Sequence, residues 1–197
     1  PLSLMAQNIR FSHLDVETGL SHNTVFHMLQ DSKGEMLFGT ENGFNKFNGY
    51  QFTTFYADPA DSLAISNDNK GTFAEDYNGY VWIATWGGGL NRFDPHTEHF
   101  IHFRHEPDNP KSLPDNRIQT VYYDQHRKGL WIGMFMGGLS FFDFQTRAFT
   151  NYKTDSLANR VWSITKSDIH HIWVATENAL CKFNPQEGTF TRFLPNP

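Results

Sequence analysis

Gly79-Tyr-Val-Trp-Ile-Ala-Thr85, and the run Gly89-Leu-Asn-Arg-Phe-Asp94 that follows it, decide the fold, because the chain repeats them. The counterparts are Met36-Leu-Phe-Gly-Thr40 with Gly43-Phe44, Gly129-Leu-Trp-Ile-Gly133 with Gly138-Leu139, and Ile172-Trp-Val-Ala-Thr176 with Ala179-Leu180. Upstream of each copy an apolar residue stands eleven positions before an Asp: Leu20 and Asp31, Ile65 and Asp76, Leu113 and Asp124, Leu157 and Asp168. The anchors Phe47, Phe93, Phe142 and Phe183 set a period of roughly 41 to 49 residues, in the range of a propeller blade.

Each copy holds four short runs rich in β-branched and aromatic residues. In the first they are Val25–Gln30, Met36–Thr40, Phe44–Phe47 and Phe52–Tyr56. Gly, Asn, Asp and Pro bound them, as turns between strands require. Asp31-Ser-Lys-Gly34 and Asp76-Tyr-Asn-Gly79 read as tight turns, with Asp bonding its own backbone and Gly taking positive φ. No helical period is present, so a parallel α/β sheet is excluded. Trp82-Ile83 and Trp131-Ile132 put two large apolar residues side by side, so both faces of that strand are buried. A sandwich strand has one wet face and alternates, whereas a blade packs against a neighbour on each side. The fold class read from this pattern is all-β, a β-propeller of four four-stranded blades.

Composition limits the functions. Aromatic residues make up 16% of the chain, including 19 Phe, which supplies the cores of such blades. The net charge of -5 excludes nucleic acid as a partner, because phosphate binding needs clustered Lys and Arg. The single Cys181 excludes a disulfide framework and reads as a small buried hydrophobe. No run approaches the roughly 18 apolar residues of a membrane span. Residues 1–10 read as a leader or signal-peptide remnant, with Ala6 near the cut.

Gly79–Thr85 with Gly89–Asp94, and Leu113-Pro-Asp-Asn-Arg-Ile-Gln-Thr-Val-Tyr-Tyr-Asp124, resemble the two-component regulator propeller repeat. The opening Phe11-Ser-His-Leu-Asp-Val-Glu-Thr-Gly-Leu-Ser21 is similar to the entry of the first blade in that family. The resemblance spans about Phe11 to Phe193. Departures are Leu37-Phe38 in copy one, Met134 for Thr in copy three and Ala179 for Gly in copy four. The resemblance implies a periplasmic sensor region of a membrane-bound bacterial signalling protein. Its output would be a histidine kinase or a diguanylate cyclase outside this chain, and the full-length sensor would be a dimer. Such regions hold blades in sevens, so four blades are expected to be a fragment of a larger, seven-bladed propeller.

The expected segments are a closing strand at 11–15 and blades at 20–56, 65–104, 113–153 and 157–194. Phe11-x-x-Leu14 matches a fourth strand, one more than four blades need.

Antiparallel connections place the loops entering each blade, and those between its second and third strands, at one end around the channel mouth. These loops carry His22, Asn23, Glu41, Asn42, Asn67, Asp68, Trp86, Asp115, Asn116, Arg117, Phe135, Met136, Asn159, Arg160 and Glu177. Variable polar and aromatic loops on a rigid scaffold are where binding is placed. The expected ligand is a small molecule or oligosaccharide, or a periplasmic protein, since ring faces beside Asn, Asp and Arg suit a sugar. The other reading of Trp86, Phe135 and Met136 is that they plug the channel.

No catalytic residue, metal site or cofactor is expected. His96, His99, His102 and His105 recur at spacing three, which a strand of period two turns to opposite faces. The four turn Asp stand one per blade, too dispersed for a general acid/base pair. The alternative activity considered is a propeller lyase or glycosidase acting on polysaccharide from the same face.

Overall fold

The computed structural model describes residues 11–153 and 160–194. The leader reading for 1–10, and the start of the fourth blade at Leu157, lie outside the described residues.

Among the described residues, sixteen strands form four separate antiparallel sheets. Blade one is β1 (Val25–Gln30), β2 (Met36–Thr40), β3 (Gly43–Phe47) and β4 (Phe52–Phe55). Blade two is β5 (Lys70–Glu75), β6 (Val81–Thr85), β7 (Gly89–Asp94) and β8 (His99–Phe103). Blade three is β9 (Ile118–Asp124), β10 (Gly129–Met134), β11 (Leu139–Asp143) and β12 (Ala148–Tyr152). Blade four is β13 (Val161–Lys166), β14 (Ile172–Thr176), β15 (Leu180–Asn184) and β16 (Thr189–Phe193). Each is an up-and-down meander, and the first strands β1, β5, β9 and β13 contact one another in turn around the axis. The fold class expected from the repeat is the one observed.

Alternation along the second strand explains the paired apolar residues. In β6, Val81 and Ile83 pack with Leu37, Phe44 and Phe73 towards blade one. Trp82 and Ala84 pack with Ile118, Leu130 and Phe142 towards blade three. In β10, Trp131 instead joins Val161, Val174 and Phe183 of blade four. The blades are therefore joined by three apolar cores. Trp82 and Trp131 are all but fully buried in two of them.

The turn Asp has two tasks. Asp76 Oδ1 accepts the backbone N–H of Asn78 (2.8 Å) and Tyr80 (3.2 Å), while Oδ2 accepts the indole N–H of Trp82 at 2.8 Å. Asp124 does the same for His126, Arg127 and, at 3.1 Å, Trp131. Asp168 takes His171 and Lys182 in place of a Trp.

Residues 11–15 form no strand. The place of a fourth strand is beside a third strand, and β3, β7, β11 and β15 each already hold their partner. Asp15 instead caps a short 3-10 turn, Val16–Thr18, by accepting the backbone N–H of Glu17 and Thr18. In blade three the left-handed turn residue is Lys128 (φ 50). Gly129 lies in β10, where a Cβ would come within 2.2 Å of the Phe141 ring. Its small size serves packing.

Candidate functional site

The chain enters blades one, two and three through an Asx-like turn. The side chains of His22, Asn67 and Asp115 accept the backbone N–H two residues on, at 2.8 to 3.0 Å. The next residue ties its blade to the one before: the Asp68 carbonyl accepts Gly43 N–H (3.2 Å), and the Asn116 carbonyl accepts Gly87 and Gly89 N–H. The side chains of Asn23, Asp68 and Asn116 accept the backbone N–H of Val16, Ala57 and His105. These loop residues build the face that presents the others.

A contiguous cluster forms over blades two to four. Trp86 meets Phe135 edge-on, ring centroids 4.7 Å apart, and Trp86 bridges Arg117 through the backbone. The Arg160 guanidinium lies 3.8 Å from the Phe135 ring centroid and that of Arg117 lies 5.0 Å away, so the ring carries a cation on contact. Arg117 grips Asp115 with two nitrogens (2.8–3.1 Å), and this hydrogen bonding raises its pKa. Asp115 also accepts Met136 N–H. Arg160 pairs with Glu177 at 3.0 Å, and its Nε is buried with no hydrogen-bond partner. Trp86 remains 36% exposed and Met136 56%.

His22, Asn23, Glu41 and Asn42 form a separate group on blade one, where His22 Nδ1 and Glu41 stand 3.8 Å apart. Asn67 and Asp68 lie in the entry loop of blade two. Asn159 falls outside the described residues. Asp115 and Glu177 each engage an arginine rather than each other. Among the described residues no three His, Cys, Asp or Glu come together as a metal site. His102 and His105 instead hold the carbonyls of Ala64 and Leu113, each at 2.7 Å.

Four channel positions escape the alternation rule. Each first strand is bulged at the same place, so one residue has no partner on the second strand. These residues are Phe26, Gln119 and Trp162; in blade two the shift spans Gly71 and Thr72, of which Gly71 holds the equivalent position. A bulge re-aims its side chain and commonly sits beside a site. Phe26, Gly71 and Gln119 line a cleft of about 290 Å³ with Trp86, and Arg160 lies 5.3 Å from the Trp162 ring. The signal for them is the single-residue misfit between the apolar patterns of the first and second strands.

The fold and this face define a β-propeller repeat array with its variable chemistry at the channel mouth. Residues 19–42 match the family model described as two component regulator propeller, and the four described sheets share one strand order. Residues 19–42 carry that repeat. It is 40% identical over 68 residues to histidine kinase P4 of Formosa agariphila, which is 33% of this chain and 5% of that one. Its fold superposes with a TM-score of 0.85 on the extracellular domain assigned to a hybrid two-component system of B. thetaiotaomicron. The identity is 28%, over 93% of this chain and 26% of the other. A second such domain from that organism, at 23% identity and TM-score 0.75, covers 93% of this chain and 27% of its own and shows the fold alone. The chain thus spans about a quarter of the solved chains and a twentieth of the kinase. Among the described residues no helix is long and apolar enough to cross a membrane.

Proposed function

We propose that this chain is a ligand-binding propeller segment of an extracytoplasmic, periplasmic sensor region. The sensor is a membrane-bound bacterial signalling protein whose output module is a histidine kinase. The chain itself binds and does not catalyse. The observation that carries the reading is the face where the bulged Phe26, Gln119 and Trp162 meet the Trp86–Phe135–Arg160 cluster. Gly71 has no side chain there, and its place is cleft. Flat aromatic rings and arginines held by acids provide stacking surfaces with fixed polar contacts, the composition of a small-molecule or oligosaccharide site. Likeness to the extracellular domain of a hybrid two-component system over 93% of the chain supports the same reading.

Thermal unfolding against a panel of oligosaccharides and metabolites tests it. A member present at one hundred times its Kd stabilises by about 2.7 kcal/mol. Its shift should vanish in Phe135→Ala and Arg160→Ala. No response in any well, shifts unchanged in both variants, or depolymerised product accompanying the shift would overturn the proposal.

A further inference from the structure

At the opposite end of the propeller, one blade interface departs from its sisters. Lys46, Arg92, Phe141 and Lys182 occupy one equivalent position on the third strands β3, β7, β11 and β15. Glu98, Arg147 and Gly188 occupy one equivalent position in the turns between third and fourth strands, each with left-handed φ (58, 56 and 67). Between blades one and two the position on β3 reaches the turn of the next blade as an ion pair, Lys46 to Glu98. Between blades three and four the pair is Phe141 and Gly188, without charge. Between blades two and three it is Arg92 and Arg147, two cations where the sister interface has a cation and an acid.

Both arginines line one groove of about 490 Å³ with Asp76, Tyr77, Asn78, Tyr80, Trp82 and Phe144. Arg92 is held from behind. Its guanidinium lies 4.3 Å from the Tyr80 ring centroid and 6.0 Å from that of Trp82. Its Nε is buried and has no hydrogen-bond partner, and among the described residues neither arginine makes an ion pair. The carboxylate in the wall, Asp76, is spent on Asn78, Tyr80 and Trp82. A buried donor without an acceptor is destabilising, and a bound acceptor removes that penalty. The guanidinium fork matches the paired oxygens of an oxyanion.

We infer that the groove between blades two and three is an oxyanion site, in which Arg92 and Arg147 take a carboxylate, sulfate or phosphate group of a small molecule. The bound anion replaces Glu98 of the sister interface and closes the two blades on each other.

Thermal unfolding of the 197-residue chain in sodium sulfate, phosphate or acetate tests this, each against sodium chloride of equal ionic strength. At least one oxyanion should raise Tm above chloride and saturate at millimolar concentration, and the most potent of the three identifies the group. Arg147→Glu rebuilds the Lys46–Glu98 arrangement, and Glu98 already shows that glutamate tolerates this backbone. The variant should unfold at a higher temperature than the parent without added oxyanion, and its half-saturation should move more than tenfold. Arg92→Met should lose the response without that gain. Excluded anions also stabilise proteins generally, without saturating. A response that does not saturate, or that Arg147→Glu retains, overturns the inference.

Discussion

The indole N–H of Trp82 donates to Asp76 Oδ2 at 2.8 Å, and both residues are buried between blades two and three. The bond fastens the first turn of a blade to its second strand. Trp82→Phe removes the five-membered ring with its N–H, which leaves a void and strips Asp76 of one donor. The expected loss is about 1–3 kcal/mol in denaturant unfolding, the cost of a buried acceptor left unmade. Trp173→Phe is the control, with a smaller loss, because Asp168 is served by His171 and Lys182.

Gly71→Val should separate blades two and three at the axis. A Cβ at Gly71 would stand 2.7 Å from the Gln119 carbonyl oxygen, a backbone atom that cannot swing away. Overpacking of this kind costs about 1–3 kcal/mol. The expected result is a lower unfolding midpoint together with faster hydrogen exchange in β9.

Acid should weaken the fold in two steps. Burial, partly opposed by a backbone hydrogen bond with Phe73, holds the His27 imidazole below its ordinary pKa; the ring stands edge-on to Phe73 at 4.8 Å. The unfolded chain therefore takes the proton first. The stability His27 contributes is whole above about pH 6.5 and is lost as pH falls below it towards the folded value. Asp168 lies well below the usual carboxylate range, first through His171 and then through backbone N–H groups and Lys182. Its contribution is present above its unfolded value and lost only at more acid pH. A Tm-against-pH curve should flatten near neutrality in His27→Gln and at the acid end in Asp168→Asn.

Arg160→Met should loosen the channel mouth without unfolding the blade. The cation–π contact with Phe135 is worth about 0.5–2 kcal/mol. Phe135 is also the ring partner of the half-exposed Trp86. A red shift in tryptophan emission, with a small change in midpoint, is the expected outcome. An unshifted spectrum would mean that Arg160 does not order this face.

The blades were legible because Trp82, Trp131 and their apolar neighbours satisfy two cores at once, and that demand is visible as consecutive large residues. The Asp–Trp bond was not, since its spacing is six residues in blade two and seven in blade three, and only the longer turn around Lys128 reconciles them. Phe26, Gln119 and Trp162 were missed because a bulge breaks the period-two rule locally. The carbonyls of Asn116 and Asp68 also join blades, a backbone role that no side chain announces. Phe11–Leu14 has the apolar spacing of a strand but finds no free third strand to pair with among the described residues.

A residue in a bulge owes the ladder no hydrogen bond. Phe26, Gly71, Gln119 and Trp162 are therefore four different residues at one structural address, the bulge of each first strand. Exchanging one for another alters the channel wall while leaving strand pairing in place, Gly71 excepted. The propeller can be retuned one blade at a time, much as a combination lock changes its code by single wheels without a new casing.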